Sequence, residues 1–463
     1  MRGQLAKRIL TVVIGLAGAI FTGLAVSNAY GASTIPLSAP EPSTSPAVSN
    51  AGSATPARPV TAANAAPFDW MQPKTWPSPF NPYLWPFNLF PVPEVATNPN
   101  GGVTYGILLA FLFKDQDGHI NSIFAPDVNE NSELGPGGSL KYFAYPSEDT
   151  QWSAIGAAQE NIARTVDLNY ETGRTHENWW SAEGELFFER DPTERFYGIG
   201  NTTDEGNETN YTTEQLYFRA LLGWNITHDL QLAFVTKPRY VRIQEGAFTT
   251  LPQIFTLFPN VKGINGGSEF YNELRLTYDT RDSIEMPRSG GLGVLYGGNA
   301  DRALASSVSY NRIGGELARY YSFGKRFTLA MHGYMQYMPA GDETPFWSMG
   351  WLGGEPSELY YRETLRGFGA GRFIDNNMTD LNIELRTRVL EASVMGNKGV
   401  LEVAPFLDAG QVFHNVSYNP VAALHPAGGI GLRALAEPFV VAYLDVGWGG
   451  EGTAIFTGID YPF

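Results

Sequence analysis

From Val103 to its last residue the sequence alternates in side-chain character with a period of two, and this limits the fold more than any other feature. In "YNELRLTYDT", Tyr271, Glu273, Arg275 and Thr277 take one side, while Asn272, Leu274, Leu276 and Tyr278 take the other. "RFTLAMHGYMQYM" sets Phe327, Leu329, Met331, Met335 and Tyr337 against Thr328, His332, Tyr334 and Gln336. "NIELRTRVL" groups Glu384, Arg386 and Arg388 opposite Ile383, Leu385 and Val389. Three charged side chains on one strand face point to water rather than a dry core. Near the end, Val440, Ala442, Leu444 and Val446 form a wholly apolar face, and Tyr443 and Asp445 oppose it. The chain is predicted to be all-β.

Alternation alone leaves two architectures open. A soluble sandwich or barrel turns its apolar face inward, whereas a transmembrane barrel turns it to lipid and keeps a polar lumen. The start of the chain favours the second. Arg2, Lys7 and Arg8 precede an apolar run from Ile9 to Val26, and the small residues Ser27, Ala29, Gly31 and Ala32 follow, which is a secretory signal layout over 1–31. A membrane anchor is the competing assignment, but Gly15, Gly18 and Gly23 dilute the run and no basic stop-transfer cluster follows. The sequence has no Cys, so disulfides do not hold this exported chain together. Aromatic residues make up 13% and charged residues only 17%, which suits strands crossing a bilayer. With about 22 residues per strand and turn, the length after the leading segments predicts a transmembrane antiparallel β-barrel of about 16 strands in the bacterial outer membrane. The net charge of -16 argues against nucleic acid and against anionic lipid as a simple charge partner, and the barrel reading itself makes the outer-membrane bilayer the first partner.

Two composition shifts divide the rest. Residues 32–67 are rich in Pro, Ser, Ala and Thr and read as a disordered linker. Residues 68–95 place Trp70, Trp76, Trp85, Phe80, Tyr83, Phe87 and Phe90 among prolines, an extended aromatic strip that lies on the bilayer interface, enters the barrel mouth or serves as a plain linker. The barrel domain is assigned to 96–463.

One segment, from 339 to about 380, breaks the strand rhythm and is far longer than a hairpin needs. It contains "LRGFGAGRF" (365–373), two arginines among three glycines and two phenylalanines. Here the sequence resembles the bacterial surface antigen family, the BamA and TamA superfamily of outer-membrane assembly and translocation barrels. Arg366, Gly367 and Phe368 are similar to that family's Arg-Gly-aromatic loop motif, with Gly369 following. "YGIGNTTDEGNETNYTTEQ" (197–215), "LRLTYDTRDSIEMPRSGG" (274–291), "FLDAGQVF" (406–413) and the aromatic Phe463 fall in the family's order. The resemblance implies that the loop folds into the lumen and that its arginine meets an acidic strand residue. Alternation puts Glu402, Phe406 and Asp408 on the lumenal face, so Asp408 is the expected partner of Arg366, Glu384 a second acceptor, and Phe406 and Gly410 their neighbours. It further implies that Tyr461 and Phe463 form an assembly signal, continuing the apolar face of Ile455 and Ile459. Clients would be outer-membrane or secreted proteins. Family members usually carry POTRA modules before the barrel, and only the linker and strip occupy that place here.

No catalytic constellation is expected. There is no Gly-x-Ser-x-Gly elbow, and the six histidines are scattered without a His-x-x-x-His pair. His332 on a polar face reads as a hydrogen-bonded wall residue. "DQDG" (115–118) and "DVNENSE" (127–133) echo calcium-loop spacing without the bidentate glutamate at its offset, so no metal or other cofactor is assigned. A passive diffusion pore and a barrel hydrolase remain the alternative functions.

Overall fold

The computed structural model describes residues 88–463 except 115–119, 148, 285, 340, 355–362, 395–396, 416, 437–439 and 460. The expected signal peptide, the linker and residues 68–87 of the strip lie outside the described residues, as does the whole "DQDG" run. One antiparallel sheet of 18 strands dominates. Its first nine strands are β1 (Asn88–Asn98), β2 (Gly102–Lys114), β3 (Ile120–Asn131), β4 (Gly135–Ser147), β5 (Thr150–Gln159), β6 (Arg164–Thr172), β7 (Trp180–Phe196), β8 (Thr209–Asn225) and β9 (Leu230–Glu245). A short helix α1 (Ile254–Leu257) precedes β10 (Gly267–Asp279), β11 (Gly290–Ala300), β12 (Tyr310–Phe323) and β13 (Phe327–Tyr337). A separate ribbon of β14 (Gly350–Leu352) and β15 (Phe373–Asp375) comes next. The ring then resumes with β16 (Asn377–Val394), β17 (Asn397–Phe413), β18 (His425–Ala436), β19 (Val440–Gly449) and β20 (Gly452–Ile459).

Every strand of the ring pairs with its neighbour in sequence, and β13 pairs with β16 across the loop that carries the ribbon. The ring nearly closes where β20 meets β1. There the Thr97 amide donates to Thr457 Oγ1 at 2.9 Å, and among the described residues no paired register joins the two strands. The count of 18 corrects the expected 16 or so. Strands β2 to β6 are only 9 to 13 residues long and several of their turns are very short, so each crossing uses less chain than the assumed average. In addition, β1 begins at Asn88 and takes in the last residues of the aromatic strip.

The alternation decides which way the wall faces. On β13 the burial pattern is strictly alternating, with Thr328, His332, Tyr334 and Gln336 buried. On the outward parity, Leu317 is 71% exposed, and Leu295, Leu407 and Val128 are each 65% exposed. Arg366, Arg386 and Arg433 are meanwhile among the largest fully buried side chains. A water-soluble protein has the reverse distribution, so this wall is made for lipid outside and a polar interior. Exposed Trp152, Tyr170, Trp180, Trp224 and Tyr278 lie toward the short-turn end of the barrel, and Tyr105, Tyr240 and Trp448 toward the long-loop end. Such rings are the interfacial girdles of a spanning barrel.

The long-loop end is covered. Loops 197–208, 246–266 and 338–376 pack over it around a core of Phe196, Tyr211, Ile254, Phe346, Trp347 and Ile374. Phe346 lies 5.0 Å from the Phe196 ring and 5.4 Å from Tyr211, edge-on to the latter. From this cap loop 338–376 descends into the lumen.

Candidate functional site

Sheet register assembles the site before the loop reaches it. Across β16 and β17, Glu384 lies opposite Phe406 and Asn382 opposite Asp408, so the lumenal parity brings Glu384, Phe406 and Asp408 into one patch. Across β18 and β19, Arg433 faces Tyr443 and Gly431 faces Asp445, adding Arg433 and Asp445 to it. Gly429 leaves room for the Phe406 ring, because a Cβ there would sit 2.4 Å from Cζ of that ring.

Arg366 enters this patch with no solvent exposure. Its Nε and Nη2 donate to Asp408 Oδ2 and Oδ1, each at 2.9 Å, in a bidentate fork. Its Nη1 donates to Glu384 Oε2 and to Asp445 Oδ2, again at 2.9 Å, and its backbone amide reaches Asp408 Oδ2 at 3.0 Å. The guanidinium carbon stands 3.7 Å from the centre of the Phe406 ring, within cation–π range. Arg433 bridges Glu384 at 3.0 Å and pairs with Asp445, while Arg386 Nε donates to Glu384 Oε1 at 3.0 Å. Three guanidinium groups thus meet three carboxylates in direct contact, which is the condition under which buried charges are tolerated.

The glycines act partly through backbone conformation and partly through close approach. Gly371 has φ +66°. Gly367 and Gly369 do not need positive φ, but a Cβ on Gly367 would lie 2.6 Å from Gly449 N, and one on Gly369 would lie 2.9 Å from Asn100 Oδ1. The wall answers with its own glycines, since a Cβ on Gly447 would be 1.4 Å from the Arg366 carbonyl oxygen. Gly410 makes space for Leu352 of the loop, whose Cδ1 would be 3.0 Å from an added Cβ. Left-handed backbone also falls on Leu365, at φ 47°, immediately before Arg366. Phe368 is buried and sits edge-on to Phe373 at 5.4 Å.

Other anchors hold the loop along its length. Arg312 Nη2 donates to Ser348 O at 2.8 Å, Arg239 Nη1 donates to Trp347 O at 3.2 Å, and Ser348 pairs with Glu269. The second arginine of the motif region, Arg372, reaches Glu451 Oε2 at 2.7 Å and Thr203 Oγ1 at 2.7 Å, tying the loop to two turns of the cap. In the 197–208 loop, Asn201 Oδ1 accepts from the Val412 amide at 2.9 Å, and the Gly200 amide donates to Ile374 O at 2.8 Å.

The structure therefore brings Arg366, Gly367, Phe368, Gly369, Glu384, Phe406, Asp408 and Gly410 together, and adds Asp445, Arg433, Gly447 and Gly449, which sequence reasoning did not select. For Asp445, Gly447 and Gly449 the signal was the parity of "LDVGWG", in which the three share the lumenal side. Asp380, placed at the loop's end by sequence, lies in β16. Asp279 and Arg281 form a local pair at 2.6 Å in the turn after β10. His332 is a wall residue, with Nδ1 2.8 Å from Asn382 Oδ1 and Nε2 3.2 Å from Glu316 Oε1.

One expectation fails on geometry. Strand β20 stops at Ile459, and the chain then turns inward instead of continuing the apolar face. Phe463 is 3% exposed, stacked 5.3 Å from the His332 ring, and its main-chain oxygen accepts from Arg386 Nη2 at 3.0 Å. Tyr461 lies beneath the Arg386 guanidinium at 3.6 Å and donates its hydroxyl to Glu402 Oε2 at 2.8 Å. Arg386 offers both rings a cation–π contact and Glu402 accepts the Tyr461 hydroxyl, interactions that lipid does not provide.

An outward apolar wall, aromatic girdles and an arginine-anchored loop in the lumen define an outer-membrane β-barrel that carries its own insert. The Omp85 superfamily domain matches residues 151–448, well over half of the chain, and the protein belongs to that superfamily. Comparison with curated proteins finds no match. Among solved structures, BamA from Haemophilus ducreyi lacking POTRA domains 1-3 is similar at 14% identity and a TM-score of 0.49, over 80% of this chain and 75% of that one. CdiB from Acinetobacter baumannii is similar at 11% identity and a TM-score of 0.38, over 80% of this chain and 59% of that one. CdiB from Escherichia coli is similar at 12% identity and a TM-score of 0.42, over 81% of this chain and 63% of that one. The chain spans less than two thirds of either CdiB. In an outer-membrane barrel the long loops are extracellular and the short turns periplasmic, which orients the cap outward and the 461–463 end inward.

Proposed function

We propose that this barrel inserts or translocates client chains, outer-membrane or secreted proteins, or remodels the bilayer, at the seam between β1 and β20. The observation that carries this reading is the loop. Its arginine is held by three buried carboxylates in the lumen, which supports a specifically anchored insert over a free diffusion path. Among the described residues no paired register joins β1 to β20, so this seam is the place where strands can part at least cost. Superfamily membership supports the same work. Tyr461 and Phe463 keep their proposed part as an assembly signal, read before the finished barrel has buried them.

Single-channel recording of the purified chain in planar bilayers tests the reading. The expected trace is low and erratic, with large openings only when the loop is released. Stable large steps from the intact chain would overturn it in favour of a diffusion pore, and turnover of phospholipid or peptide substrates would replace it with a catalytic one.

A further inference from the structure

The lumenal loop is reached from both ends of the barrel. It descends from the extracellular cap, while residues 461–463 rise from the periplasmic end of β20, and the two meet with no strand between them. The Glu363 amide of the loop donates to Pro462 O at 3.3 Å. The Phe463 ring centre lies 5.7 Å from the Arg366 guanidinium carbon and 5.6 Å from that of Arg386. Arg386 joins the two systems. One of its edges donates to Glu384, which also holds Arg366 and Arg433, and another donates to the Phe463 main-chain oxygen, while its face covers Tyr461. Glu402 completes the seat, accepting from Tyr461 and from Arg388 Nε at 3.2 Å.

From this geometry we infer that residues 461–463 are a latch, which holds the extracellular loop in the lumen from the periplasmic side. Removing the segment takes away the Pro462 acceptor and the rings packed on Arg366 and Arg386, and leaves Arg386 free to swing from Glu384. The loop then keeps its carboxylate contacts but loses the support beneath them. Coupling of this kind is reciprocal: whatever draws the segment toward the periplasm loosens the loop, and withdrawal of the loop frees the segment. The latch thus gives the periplasmic side of the barrel a means of controlling a plug that enters from outside. It does not depend on what crosses the barrel.

The sequence contains no Cys, so a single Ala370→Cys substitution, at a buried loop position, reports loop release without background. Labelling by a membrane-impermeant maleimide is followed on the folded, heat-modifiable band of protein reconstituted in lipid. With Tyr461→Ala and Phe463→Ala combined, the labelling rate is expected to rise by about tenfold, and with Tyr461→Phe, which removes only the bond to Glu402, by about two- to threefold. An unchanged rate in the folded double variant overturns the latch. If the double variant yields no folded band, the comparison rests on Tyr461→Phe, and an unchanged rate there overturns it. Loss of client transfer with wild-type labelling would count against the proposed function and leave the latch standing.

Discussion

At the scale of single residues, the site is a balance of buried charge and backbone contact. Removing one partner of a buried ion pair leaves the other uncompensated, at a cost of about 3 to 5 kcal/mol in a dry site and less where water enters. Arg366→Ala strands part of three carboxylates, whereas Asp408→Ala leaves Arg366 with Glu384 and Asp445. Arg366→Ala is therefore expected to lower the heat resistance of the folded band more than Asp408→Ala, with the double variant no worse than Arg366→Ala alone. Strict additivity would reject direct pairing. Gly447 makes a second test. A Cβ there would lie 1.4 Å from backbone, which cannot yield as a flexible side chain would, so Gly447→Ala should displace the loop as effectively as Arg366→Ala while leaving every charge in place. Wild-type melting of Gly447→Ala would show that the loop does not press on β19. The left-handed Leu365 adds a local strain of roughly 1 to 3 kcal/mol, which the fork to Asp408 holds in place.

At the scale of elements, loop 338–376 is a folded part of the barrel. It carries its own ribbon of β14 and β15, is anchored by Arg239 and Arg312 near its start, and is tied by Arg366 and Arg372 near its end. Glu363 gives it a pH dependence. Burial pushes this loop carboxyl up to about 8, with the negative charge of Asp445 adding to the effect, while the Tyr443 hydroxyl, Arg366 and Arg433 oppose it. The released loop would return it to the ordinary range near 4.5. Between those two values the inserted state binds more protons, so its stability falls as pH rises from about 5 to about 8 and then levels off. Thermal unfolding between pH 5 and 9 should show this decline, and Glu363→Gln should flatten it. The same slope in the glutamine variant would assign the dependence to another group. The last strand teaches a related lesson. The period of two extends through Phe463 in the sequence, yet β20 ends at Ile459 because Arg386, Glu402 and His332 offer the following rings partners that lipid cannot.

At the scale of the whole molecule, the protein is a soluble fold turned inside out, and most of that inversion was legible in the sequence. Strands such as β13 and β16 carried charge or hydroxyls on one parity and large apolar groups on the other, and the absence of Cys and the low share of charged residues favoured lipid over water for the apolar side. Arg366, Asp408 and Glu384 were legible too, because a loop motif and a strand parity each act over a few residues. Local pattern sets which face a side chain takes, since neighbouring side chains on a strand point opposite ways whatever the rest of the chain does. Only the tertiary structure decided how many strands close the ring, because that depends on turn lengths and on the pairing of β1 from Asn88. It alone joined Asp445 and Arg433 to the arginine, matched Gly447 to the Arg366 carbonyl, and brought 461–463 beneath the loop. Those contacts link positions far apart in the chain, and the closure of the barrel, not any local propensity, sets the distance between them.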